Sequence, residues 1–326
     1  MKKVLIAILL LGLLPHASAD YIHWVDFRLS APVLRSALEL DMASQGGEQP
    51  LDWIDILALA AAWRGGTGVT VADTQRAAQA LRGDTPPERL PGMAGRYFSY
   101  YREAYGAALG GLAGHFAIRR TDPQTGEAEW IPAYGLKAFS PIAAGYPWSH
   151  YPDFGAQRSY GYARPHLGND ILGALGTPIC AVEGGTVEAL GWNRYGGWRI
   201  GIRSDDRKRY YYYAHLRKDT PYAEGLAVGQ RVQAGDVIGF MGRTGYSTQE
   251  NVNNIETVHL HFGLQLIFDE SQKECDSEIW IDAYPIIELL ASHCSSVARD
   301  PQTGRWERLY PYCDLDAEPL RSAAAR

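Results

Sequence analysis

The chain has 326 residues, 46% of them hydrophobic and 21% charged, a composition that allows a folded globular protein with a large core. Its formal charge is -6, from 31 basic and 37 acidic residues, which argues against a nucleic-acid partner, since such proteins carry a basic stripe. No internal apolar run approaches the roughly 20 residues that a membrane-spanning helix requires.

The first residues read as a secretory signal. Lys2 and Lys3 form a positive start, Val4 to Leu14 is a short apolar run, Pro15 breaks it, and Ala17-Ser18-Ala19 offers a small-x-small cleavage site. Cleavage before Asp20 would remove residues 1–19 and leave 29 basic against 37 acidic residues, a balance of -8. The expectation is an exported protein of the cell envelope or the extracellular space, with no stable membrane span after cleavage. No cysteine stands at the cleavage site, so a lipid anchor is not expected.

From residue 20 to 131 the pattern predicts a mainly helical domain. Apolar residues recur at helical spacing in APVLRSALELDMAS (31–44) and LDWIDILALAAAWRG (51–65), the latter stopped by Gly65-Gly66. VADTQRAAQALRG (71–83) reads as a third helix, capped at Asp73 or Thr74, and RYFSYYREAYGAALGGLAG (96–114) as a fourth. This part carries no recognisable chemistry.

Residues 132–270 change character, with short Gly-, Tyr-, Val- and Ile-rich runs split by turns. TPICAV, GTVEALGW, WRIGIRS and RYYYYAHL read as strands of an antiparallel, hairpin-rich domain. The remaining segment, 271–326, predicts one helix over IDAYPIIELLAS and then an irregular tail with a short hairpin through RWERLYPY. The fold class expected is α+β. Four cysteines are present. Cys180 lies in an apolar stretch and reads as a buried thiol, while a bridge among Cys275, Cys294 and Cys313 is open.

Three motifs in the β-rich region carry the chemistry. RPHLGNDI supplies His166 and Asp170, YYYYAHL supplies His215, and TVHLHFGLQLIF supplies His259 and His261. On a strand, alternate residues share a face, so His259 and His261 project together while Leu260, Phe262, Leu264 and Leu266 face an apolar layer. Pro165 and Gly168 argue against a helix over 166–170 and for a turn that brings His166 and Asp170 to one point. Two histidines and one aspartate make a three-ligand site with a fourth position open, the pattern of catalytic zinc. Each motif alone reads better as a surface or core histidine; the three in order within one β-rich region do not.

These motifs, with the glycine-rich VGQRVQAGDVIGFMGRTG, resemble the lysostaphin/LytM family of zinc peptidases, whose fold is the duplicated hybrid motif. The likeness is close from Tyr160 to Phe268 and extends across LKAFSPI and FGAQRSYGY. The chain as a whole resembles the subset of that family from spore-forming Gram-positive bacteria. The resemblance implies one Zn2+ held by His166, Asp170 and His261, with His215 and His259 as the catalytic pair. It implies a metalloendopeptidase in which zinc-activated water attacks peptide cross-links of bacterial peptidoglycan, so that stem peptides or cross-bridges are the partners. HExxH is absent, which leaves base and acid work to the two histidines and predicts loss of activity in acid. Two alternatives remain: a non-catalytic or regulatory module that activates another wall hydrolase, and a zinc D-Ala-D-Ala carboxypeptidase. The polar stretch 245–258 and the aromatics Tyr160, Tyr162, Tyr195 and Trp198 are candidates for walls of a substrate groove.

Overall fold

A computed structural model describes residues 21–273 and 277–317. The expected signal, residues 1–19, lies outside the described residues, as does Cys275. The described residues begin with four α-helices: α1 (Ala31–Ser44), α2 (Trp53–Arg64), α3 (Val71–Leu81) and α4 (Met93–Leu109). In α1, Val33, Leu34, Ala37, Leu38 and Asp41 are buried, which is one stripe at helical spacing. The α2 helix is apolar on every side and is therefore the central one, with Ile56 to Ala62 wholly buried. Asp52 caps its start by accepting from the Ile54 N–H, and Gly65, at φ 64, ends it in the left-handed conformation.

The cap of α3 is Thr70 rather than Asp73 or Thr74. Its hydroxyl accepts from the Asp73 N–H, and the Asp73 carboxylate accepts in return from the Thr70 N–H, a reciprocal capping box. Asp73 also receives two hydrogen bonds of 3.0 Å from Arg64, which locks α2 to α3.

Where the sequence reading continued a helix to residue 114, α4 stops at Leu109 and the chain turns into a hairpin, β1 (Ala113–Thr121) with β2 (Ala128–Leu136). β3 (Trp148–His150), β4 (Gln157–Arg158), β5 (Arg164–Pro165), β6 (Asn169–Gly173), β7 (Pro178–Cys180), β8 (Gly185–Asn193) and β9 (Gly197–Ser204) follow. They lead into β10 (Arg209–Ala214), β11 (Arg231–Val232), β12 (Val237–Phe240), β13 (His259–Leu266) and β14 (Ile279–Ile281). The last elements among the described residues are α5 (Tyr284–Leu290), β15 (Val297–Arg299), β16 (Trp306–Arg308) and β17 (Tyr312–Asp314). The tail folds back rather than forming a hairpin within 305–312: β16 pairs with β15, and β17 joins β1.

Antiparallel pairing builds the main sheet in the order β11-β8-β9-β10-β13-β6-β3, and β14 pairs with the second half of β13. Its inner face buries Val187, Ile200, Ile202, Tyr211, Tyr213, Leu260, Phe262 and Leu264 in a core continuous with that of the helices. Arg209 joins the two parts. Its fully buried guanidinium pairs with Glu183 and Asp206 and donates to the carbonyls of Gly106 and Ala107 in the last turn of α4. A cation at that end of a helix meets the negative pole of the backbone dipole. Cys180 is a buried thiol whose pKa burial pushes up to about 12, and Cys294 and Cys313 are free thiols.

Candidate metal centre and active site

Strand register assembles the site. In the β13–β6 pair His261 stands opposite Asp170, and in the β13–β10 pair it stands opposite Ala214, the residue before His215. Alternation along β13 sends Leu260, Phe262, Leu264 and Leu266 into the core, each at most 1% exposed, and turns His259 and His261 to the opposite face. His166 follows directly on β5, and its N–H donates to the Ala156 carbonyl.

The structure brings all five sequence-predicted residues together. His166 Nε2 lies 2.7 Å from His261 Nδ1 and 3.0 Å from Asp170 Oδ1, and His261 Nδ1 lies 3.2 Å from the same oxygen. His259 Nε2 is 3.7 Å from Asp170 Oδ1, and the His215 ring centre is 4.7 Å from that of His259.

The three closest atoms fit a divalent cation. His166 directs its Nδ1 at the carbonyl and carboxylate of Asp153, at 3.1 and 3.2 Å, which makes Nδ1–H the donor and leaves Nε2 a bare lone pair. That lone pair, the Nδ1 of His261 and a carboxylate oxygen form a triangle with edges of 2.7 to 3.2 Å. A tetrahedral ion with bonds of about 2.0 Å has ligand-to-ligand edges of about 3.3 Å, close to that triangle. Three converging acceptors repel one another unless a positive charge sits among them, and only a proton or a metal ion can supply it. The nitrogen and oxygen donor set suits zinc.

The titration of the cluster follows from the same contacts. Burial disfavours the Asp170 carboxylate, but hydrogen bonds from His166 and His261 outweigh it and hold the group well below the usual carboxylate range. Burial also works against charge on His166, yet in the absence of a metal ion its bonds to Asp153 and Asp170 push it up to about 9, so that a proton on Nε2 stands where the ion would. His261 moves down, because burial exceeds the pull of Asp170. His215 is held well below the ordinary histidine value by burial and then by His259 and His261.

The other two histidines share one arrangement. The Nδ1 of His215 lies 2.9 Å from the Thr244 carbonyl, and that of His259 lies 2.9 Å from the Thr257 carbonyl. Each carbonyl can only accept, so each ring donates through Nδ1, and in the neutral ring the lone pair is then on Nε2. His215 adopts φ 61, a left-handed conformation uncommon outside glycine, at the point where the chain leaves β10.

Several contributors carry no motif in the sequence. Asp153 accepts from His166 and also from Asn169 Nδ2 at 3.0 Å, and Arg158 bridges Asp153 and Asp170 at 3.0 and 2.8 Å. Asp153 and Arg158 come from the segment around β4, and only folding brings it against β6. Gly168 lies against the His261 ring, where any side chain would collide with it.

The cluster opens into a cleft of about 310 Å³ that Tyr195, Tyr212, Tyr246 and Trp280 help to line. Of the aromatics proposed as groove walls, Tyr195 lines the cleft and Tyr160 stacks on Tyr246 behind it, with ring centres 4.6 Å apart. Tyr162 packs edge-on against Tyr195, and Trp198 packs against Trp192 and Tyr222 instead. Tyr246 comes from the polar stretch 245–258, which is pinned where Asn251 accepts from Trp198 Nε1 and the Asp219 N–H.

Residues 164–274, which include all five site residues, match peptidase family M23. The chain is 40% identical over 130 residues to an L-Ala–D-Glu endopeptidase of Bacillus subtilis, covering 40% of this chain and 38% of that protein. It is 39% identical over 98 residues to a glycyl-glycine endopeptidase of Staphylococcus capitis, covering 30% of this chain and 24% of that protein. A peptidoglycan DD-endopeptidase of Vibrio cholerae is 31% identical over 102 residues, covering 31% of this chain and 20% of that protein. The chain therefore spans well under half the length of each of these relatives. The resemblance read from the three motifs holds: residues 164–274, which gather the histidines and the aspartate, match as a peptidase family M23 domain.

Proposed function

We propose that the chain is a zinc-dependent endopeptidase, exported to the cell envelope, that hydrolyses peptide bonds of bacterial peptidoglycan. The observation that carries the reading is the convergence of two imidazole nitrogens and one carboxylate oxygen within 3.2 Å of one another, from segments about 90 residues apart. One relative is named a peptidoglycan DD-endopeptidase, which supports the wall as the substrate class, and the other two names specify an L-Ala–D-Glu bond and a glycyl-glycine bond.

His166, Asp170 and His261 would hold the ion. When bound, it supplies Lewis acidity, polarising a carbonyl oxygen and lowering the pKa of a water to about 7. The protein does the rest. Asp153 fixes the His166 ring with Nε2 inward, and Arg158 ties down the second oxygen of Asp170 so that one oxygen remains for the ion. With Nδ1 of each ring bonded to a carbonyl, Nε2 is the basic nitrogen of neutral His215 and of neutral His259. Each can take a proton from the attacking water and return one to the leaving amine. The burial that keeps His215 neutral suits this work.

The test is digestion of defined peptidoglycan by the metal-loaded chain and by His259→Ala, with mass spectrometry of the fragments and zinc measured in protein purified without chelator. Stoichiometric zinc and a loss of about 100-fold or more in the variant are expected. Unchanged cleavage by His259→Ala would remove that residue from catalysis. Protein without zinc that releases no fragments would return the chain to a regulatory role.

A further inference from the structure

The cleft holds two cations that the metal site does not use. Arg199 and Arg164 both line it, and neither has a carboxylate within ion-pair distance among the described residues. The other cations there are committed. Arg158 is bound to Asp153 and Asp170 and Lys273 to Glu188, which leaves the two arginines against one carboxylate, Glu278, which accepts from the neutral Trp280 Nε1. In a chain of net charge -6, the uncommitted charge of this cleft is thus positive.

Arg199 also carries an unmet demand. Its Nε is buried and has no hydrogen-bond partner. A buried guanidinium edge left unpaired is costly, and a carboxylate bound to the part of the group that lines the cleft offsets that cost best, because it is the acceptor that forms the strongest bonds to guanidinium. Arg164 is held ready in another way. It donates to the Tyr160 carbonyl at 2.6 Å and lies over the Tyr195 ring, 4.5 Å from its centre.

Register places Arg199 relative to the metal ligands. Ile200 pairs with Tyr213, and Tyr213 pairs with Phe262, all three on the core face. Arg199 precedes Ile200, so it stands on the cleft face in the row of Ala214 and His261. It is two strand spacings, roughly 10 Å, from the His261 backbone. That span corresponds to about three residues of extended peptide.

Resting on the endopeptidase reading above, we propose that Arg199, assisted by Arg164, forms a carboxylate subsite. The peptide this cleft takes is therefore an acidic one, carrying a free carboxylate within about three residues of the bond that is cut. A peptide of glycine alone satisfies neither arginine.

The experiment uses the metal-loaded full chain and two synthetic stem peptides, blocked at both ends. They differ only in whether the α-carboxyl of their glutamate is free or is a carboxamide. Wild type is expected to favour the carboxylate by about 10- to 100-fold in kcat/KM, mostly through KM. In Arg199→Gln that ratio should fall toward one, and Arg199→Lys should restore part of it. Equal handling of the two peptides by wild type, or a preference that survives in Arg199→Gln, overturns the proposal. If wild type cuts neither peptide, the endopeptidase reading fails by itself. Calorimetric binding of the same pair to the wild-type chain then decides the subsite: tighter binding of the carboxylate supports it and equal affinity overturns it. The wild-type comparison needs no variant to fold.

Discussion

Gly168→Ala tests the ligand triangle without touching a ligand. A Cβ at residue 168 would lie 2.6 Å from His261 Cε1, 2.7 Å from His261 Nε2 and 2.8 Å from the Phe262 carbonyl oxygen. Unstrained carbon contacts are about 3.5 to 4.0 Å, so something must retreat by about 1 Å. The Phe262 carbonyl is backbone of β13, in the stretch paired with β6, and yields least. The His261 ring therefore has to turn away, which opens its contacts of 2.7 Å to His166 and 3.2 Å to Asp170. Overpacking of this kind costs about 1–3 kcal/mol. Without metal the ring can swing out and relieve its own share of the strain, while the contact with the Phe262 carbonyl persists in both states, so the ring's share falls on metal binding as a loss of up to about 150-fold in affinity. Chelator-competition titration with zinc reads the affinity, and thermal unfolding of the metal-free protein reads the fold. An affinity within twofold of wild type, at an unchanged metal-free Tm, would refute the geometry on which the site rests.

Asp153→Ala removes the acceptor that orients His166 and should weaken zinc binding by about 10- to 100-fold, measured by the same titration; an unchanged value would show that His166 needs no such partner. Glu183→Ala strips the buried guanidinium of Arg209 of its main partner and should lower stability by about 3–5 kcal/mol in urea unfolding. A loss below about 1 kcal/mol would mean that Asp206 and the α4 carbonyls suffice. Asp73→Asn gives a pH signature. Burial raises the Asp73 pKa, but the bonds from Arg64 and Thr70 outweigh it, so the folded value is depressed. The stabilisation is then complete above the unfolded value of about 3.9 and is lost as pH falls through the folded value. The Tm gap between wild type and variant should be constant near neutrality and close below about pH 4, and a gap independent of pH would remove the charge from the explanation.

The sequence exposes what repeats locally and hides what folding brings from afar. His259 and His261 share a face because β13 is extended, and that alternation is visible in HLHFGLQL. Whether His261 stands opposite Asp170 is a matter of strand pairing, which no local pattern encodes. Asp153 and Arg158 are invisible for the same reason, since an isolated acid and an isolated base in a loop look like solvated charges. The apolar α2 is easy to read because one residue type fills every face. The β1–β2 hairpin is missed because alanine and glycine carry the helix pattern past its end at Leu109. Thr70 is passed over as a cap because Asp73 is an equally good capping residue, and only the reciprocal bonds tell the two positions apart.

Arg209 has a consequence for how the molecule is governed. It points to the core side of β10, so the end of α4 is moored behind the sheet, on the side away from the histidines. Among the described residues, none before Arg158 borders the cleft. The helices are thus a foundation and not a shutter. Cutting them off would strand a guanidinium against water and loosen the sheet from behind, while the approach of a peptide from the front would meet no new obstacle and lose none.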